Sequence, residues 1–239
     1  RVELAPDVVE APMPGGMELA DDFHSGTVSA ASGGTTTVVC FAGQEPGQPL
    51  GAVLREYRAR AAGRAVIDYG FHPIICDPTA DLLTRELPAL IRDGYPSFKV
   101  FMTYDNLKLS DRQILDLLSV AKREGGLVLF HAENGDITGW LTDQLEAAGD
   151  TAPQYHADSR PMAAEREATH RAISLAEIVG TPILIVHVSG ADAAEQIRWA
   201  RARELPVYAE TCPQYLFLSS NDLRTPDYTG AKYVCSPPP

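Results

Sequence analysis

SFKVFMTY (97–104), LVLFHAENGD (127–136) and ILIVHVSG (183–190) decide the fold. Each is an apolar, β-branched run with one side chain able to bind a metal, in the strand or at its end: Lys99, His131 and His187. These residues are too far apart in sequence to share one local loop. A fold that gathers the ends of successive parallel strands would bring them to one point. A barrel of alternating strands and helices does this, and its active sites lie where its strands end.

The alternation extends outward from these segments. TTTVVCFA (35–42), AVIDYGFHPII (65–75), PVYAETC (206–212) and KYVCS (232–236) read as further strands. LGAVLREYRARAAG (50–63), AAEREATHRAISLAEIVG (163–180) and ADAAEQIRWARARE (191–204) read as helices, and DLLTRELPALIRDG (81–94) as a helix kinked at Pro88. The clearest helix is SDRQILDLLSVAKREGG (110–126). Ser110 can cap it, Asp111 suits the positive end of its dipole, and Gly125 can end it. Short joins imply parallel strands with right-handed crossovers. No GxGxxG follows a strand, so a TIM-type (β/α)8 barrel is preferred over an open dinucleotide-binding sheet. A single barrel domain over 1–239 is expected, incomplete at both ends. RVELAPDVVEAPMPGG (1–16) makes a poor first strand, and the chain closes on Pro237, Pro238 and Pro239.

The formal net charge of −12 argues against nucleic acid or an anionic membrane as partner. No apolar run reaches the roughly 20 residues of a membrane span, and no basic, apolar leader opens the chain. Cys40, Cys76, Cys212 and Cys235 show no CxxC spacing and read as reduced, structural thiols. A cytoplasmic location is therefore expected.

Strand-end histidines can be buried core residues or ligands, and neutral imidazole suits zinc. Lys99, inside an apolar strand, admits three readings: a salt bridge, a Schiff-base amine, or a CO₂-carboxylated ligand. Periodicity does not choose among them.

SFKVFMTY, HAENGD, APQYHADSRP, HVSG, AETCPQYLFL and AKYVCSPPP, in this order, resemble the dihydropyrimidinase/D-hydantoinase family of cyclic amidohydrolases. The likeness runs from about Ala20 to Pro239. It implies a lysine, matched by Lys99, that is carboxylated and bridges two zinc ions, with His131 and His187 binding one of them. It implies that Tyr104 polarises the substrate carbonyl and that Ser236 holds the substrate ring through its backbone. Hydroxide supplied by the metals would open a hydantoin or dihydropyrimidine ring to an N-carbamoyl amino acid. The small molecule is the implied partner, and a homo-oligomer, dimer or tetramer, the implied assembly.

Two parts of the family pattern are not found. The HxH pair of the first strand falls at about Asp7 and Val9, where neither residue is histidine. The metal-binding, proton-shuttling aspartate and the small β domain would come after SPPP. A longer reading frame carrying both is expected. The rival reading is a non-catalytic assembly homologue, like the collapsin response mediator proteins. Loss of the bridging lysine and several histidines marks that branch, whereas Lys99, His131, His187 and Tyr104 persist here. The Tyr104–Leu109 and 136–160 segments are expected to be loops shaping the substrate's exocyclic pocket. His156 is expected to be structural or to position a loop, Glu133 either to orient a ligand or to play a solvated or structural role, and Trp140 and Trp199 to pack.

Overall fold

The computed structural model describes residues 21–226 and 228–239. The segment carrying Asp7 and Val9 lies outside the described residues. The chain forms two compact units that meet between Lys99 and Val100, inside one strand.

The first unit opens with helix α1 (Phe23–Ser32). Asp22 caps it: its carboxylate accepts from the N–H of His24 and Ser25, and Ser25 Oγ accepts from Asp22 N–H. Strand β1 (Thr37–Gly43), helix α2 (Leu50–Ala61) and strand β2 (Asp68–Ile74) follow, and β1 and β2 pair in parallel from Thr37↔Asp68 to Gly43↔Ile74. Between them Phe23, Val38, Cys40, Val53, Leu54 and Phe71 form a buried cluster. Each large side chain of this kind contributes on the order of 1.5–3 kcal/mol by leaving water. Pro88 acts as expected. A wide turn at Leu82–Glu86, with Leu87 N–H bonding Leu82 O, precedes α3 (Leu87–Arg92), because proline has no N–H for a regular turn. Strand β3 (Ser97–Phe101) then pairs with β2 in parallel at Ile74↔Lys99.

In the second unit, α4 (Asp111–Glu124) starts in a capping box between Ser110 and Gln113 and ends at left-handed Gly125. Its buried face carries Ile114, Leu117, Leu118 and Val120. Strands β4 (Leu127–His131), β5 (Ile183–Ile185) and β6 (Val207–Ala209) pair in parallel, through Val128↔Ile183 and Ile183↔Val207. Helices α7 (Met162–Val179) and α8 (Ala191–Ala202) alternate with them. The end of β3 lies beside β4, with Met102 N–H bonding His131 O.

Four expectations are corrected. The 136–160 segment is mainly helical, as α5 (Gly135–Ala148) and α6 (Gln154–Asp158); Asn134 Oδ1 caps α5 by accepting from Asp136 and Ile137. KYVCS is not a strand. Thr229–Tyr233 is a 3₁₀ turn, and the carbonyls of Cys235, Pro237 and Pro238 accept from side chains instead of a ladder. The strand expected within 183–190 stops at Ile185, because His187 takes a left-handed φ of 43°. Trp140 is 62% exposed on α5, not packed; Trp199 lies between His170 and the Arg203 guanidinium. All four cysteines are free thiols. Among the described residues no helix is long and apolar enough to cross a membrane.

Candidate functional site

Lys99 belongs to the first unit. It is 1% exposed, and its Nζ lies 4.1 Å from the centre of the Phe41 ring. Phe41 also contacts His72, whose Nδ1 is 2.7 Å from Ser97 Oγ. An ammonium over an aromatic face gains cation–π attraction, yet burial in an apolar strand still costs it hydration.

The second unit brings together His131, His187 and Tyr104. His131 ends β4, and His187 follows two residues after β5. Their rings meet edge to face with centroids 4.6 Å apart. The Tyr104 ring is 5.3 Å from that of His131, and Phe101 stacks on His131 at 5.1 Å. Tyr104 and His187 both adopt left-handed backbone, φ 66° and 43°. For non-glycine residues this is strained, and it persists only where the surroundings impose it. At Tyr104 the imposing contacts are two bonds to its carbonyl, from the N–H of Leu107 and Lys108, and the bond from Leu109 N–H to Phe101 O that closes the turn. At His187 they are Val186 N–H to Phe130 O and Val188 N–H to Glu210 O on either side.

Behind His131 lies Glu133, 1% exposed, with Oε2 2.7 Å from His131 Nε2. Burial pushes its carboxyl up to about 7, against the opposing pull of Arg160 and His156. The Arg160 guanidinium is 3.9 Å from Glu133 Oε1. Burial removes the solvated reading of Glu133; its contact with His131 fits either a structural bond or the orientation of a ligand, since a carboxylate on one ring nitrogen can fix the ring for coordination through the other. With Nε2 engaged, coordination by His131 would run through Nδ1.

Ser236 is placed by His156, whose Nε2 is 2.9 Å from Cys235 O and 3.1 Å from Ser236 Oγ. Burial holds the His156 imidazole below its usual value, which favours the neutral ring. Tyr215 hydroxyl donates to Pro237 O at 2.7 Å, and Ser189 hydroxyl to Pro238 O at 2.6 Å. The backbone of 235–238 is thus held by side chains from three separate segments. Glu165, on α7, completes the site; nothing in the sequence singled it out.

His131, buried, and His187, half-buried, suit a metal as two adjacent imidazole ligands. They are not a complete donor set. Among the described residues no group of three or more His, Cys, Asp and Glu side chains gathers as a metal cluster.

No family model matches the chain. A curated D-hydantoinase from Streptomyces coelicolor (strain ATCC BAA-471 / A3(2) / M145) is 48% identical over 225 residues, which cover 94% of this chain and 48% of the relative. The solved D-hydantoinase of a Bacillus sp. AR9 is 44% identical with a TM-score of 0.94, over 99% of this chain and 51% of that one. The dihydropyrimidinase of Brevibacillus agri NCHU1002 is 45% identical with a TM-score of 0.92, over 98% and 51%. The chain spans about half the length of the curated relatives it matches. Its parallel strands and intervening helices are part of an amidohydrolase-type (β/α) barrel. With close to half its residues identical across nearly its whole length, the chain belongs to the D-hydantoinase/dihydropyrimidinase family of cyclic amidohydrolases.

Proposed function

We propose that the protein carrying this chain hydrolyses the cyclic amide bond of hydantoins and dihydropyrimidines to N-carbamoyl amino acids. Water oxygen bonds to the ring carbonyl carbon, the ring C–N bond breaks, and a proton passes to the leaving nitrogen. In this reading Lys99, as its carbamate, joins His131 and His187 in holding zinc, and residues 1–239 belong to one catalytic barrel. The metal supplies Lewis-acid polarisation and hydroxide at neutral pH. Tyr104 donates its hydroxyl to the developing oxyanion. The backbone at Ser236 holds the ring. A cytoplasmic homo-oligomer, dimer or tetramer, completes the proposal.

The observation that carries it is the edge-to-face His131–His187 pair, with Glu133 behind one ring and Tyr104 beside it. The persistence of all four family groups, and relatives named as hydantoinases, favour the hydrolase over the non-catalytic reading. The full-length, metal-loaded protein should open 5-substituted hydantoins or dihydrouracil. Tyr104→Phe should lower kcat by roughly 10²–10³. Faster turnover of allantoin or dihydroorotate than of both classes would overturn the substrate assignment.

A further inference from the structure

The His187 turn and the Ser236 run are joined through one side chain. Ser189, two residues after His187, donates its hydroxyl to Pro238 O at 2.6 Å. Its own N–H, and that of Gly190, are both held by Glu165, at 2.9 Å to Oε1 and 2.7 Å to Oε2. Glu165 reaches them from α7 and is 6% exposed. Gly190 is the residue before α8, so the carboxylate sits at the positive end of a twelve-residue helix. A Cβ on Gly190 would stand 2.7 Å from Glu165 Oε2, so the approach requires glycine there. Glu133, Arg160, Glu165, Ser189, Gly190 and Pro237 line one cavity of about 340 Å³.

A buried carboxylate is a costly way to fill space, and an alanine or leucine on α7 would pack without that cost. Its return is directional. Two charge-assisted bonds to consecutive N–H groups fix the backbone that leaves strained His187. The next bond along, from Ser189 Oγ, fixes the carbonyl two residues beyond Ser236.

We propose that Glu165 and Ser189 are positioning residues that lock the His187 turn to the Ser236 run, setting the metal-ligand segment against the backbone that holds the substrate ring. The assignment of substrate and metal roles rests on the hydrolase reading; the mechanical lock does not.

Two arms test it on the full-length, metal-loaded protein. The first is hydrogen exchange at the amides of Val234, Cys235 and Ser236. Ser189→Ala should speed their exchange about tenfold, as expected for loss of one hydrogen bond, and Ser189→Thr should restore it. The second arm is kinetic, with a 5-substituted hydantoin. Ser189→Ala should raise KM about tenfold with kcat within about twofold and bound metal unchanged. Unchanged exchange and unchanged KM would overturn the lock. If Ser189→Ala does not fold, Glu165→Gln takes its place. It keeps the shape but offers one acceptor oxygen for two N–H groups, so it should speed the same amides; no change there would also overturn the lock. A parent that opens no cyclic ureide refutes the hydrolase reading, while the exchange arm still decides the lock.

Discussion

His131 Nε2 and Glu133 Oε2 lie 2.7 Å apart, with both side chains almost completely buried. They are two residues apart at the end of one strand, so the carboxylate orients the ring within a single segment. Glu133→Ala would leave the ring nitrogen without this acceptor and free the ring to turn. Metal affinity should fall about 10–100-fold. Competition against a chelator of known affinity would measure it. Glu133→Gln, which keeps an acceptor oxygen, should lose less. Equal affinity in parent and alanine variant would refute the orienting role.

Lys99 is buried against the Phe41 ring in an apolar strand. Carboxylation would make it an anionic ligand instead of a cation without hydration. Native mass spectra of the full-length protein should show the added mass of one CO₂, absent from Lys99→Met. Lys99→Ala should bind markedly less metal than the parent. Metal content equal to the parent's would count decisively against the carbamate.

Gly135 and Gly139, both in α5, make an internal comparison. A Cβ on Gly135 would stand 3.0 Å from Thr103 Cα and 3.1 Å from Met102 O, one and two residues before Tyr104. Nothing lies within 4 Å of a Cβ on Gly139. Gly135→Ala should cost about 1–3 kcal/mol by overpacking and lower kcat through the Tyr104 turn. Gly139→Ala should gain up to about 1 kcal/mol from helix propensity and leave kcat alone. Urea midpoints with parallel assays check both, and the same sign for the two substitutions would refute this packing.

Local signals carried much of this into the sequence. Ser110, Asp111 and Gly125 delimit α4 because capping and left-handed termination are decided within a few residues. The runs before His131 and His187 read as strands because strands buried on both faces are nearly continuously apolar. Helix α5 was obscured by Gly135, Gly139 and two threonines, all weak helix formers, although Asn134 was a usable capping signal. The left-handed turn at His187 was not legible, since it is imposed by bonds to Phe130 and Glu210 from other segments. Glu165 was hidden for the same reason. In sequence it is one more acidic residue on a charged helix, and only the tertiary fold puts it under Ser189 and Gly190.

Glu165 also gives a pH dependence. Burial pushes its carboxyl from the ordinary 4.5 up to about 7, and the repulsion of Glu133 adds to this, while the N–H groups of Ser189 and Gly190 pull it back. Between those two values the folded chain keeps a proton that the unfolded chain has released. The stability from neutral Glu165 is therefore full below about pH 4.5 and is lost as pH rises through about 7. Each pH unit in that window removes up to ~1.4 kcal/mol. Glutamine does not titrate, so the comparison removes the Glu165 contribution together with its repulsion of Glu133. The parent should thus lose on the order of 1–3 kcal/mol relative to Glu165→Gln between pH 4.5 and 7.5. Urea midpoints at half-unit steps would show a difference that widens through the window and is level above it. A difference independent of pH would mean that Glu165 keeps one protonation state throughout, and the raised carboxyl would be refuted.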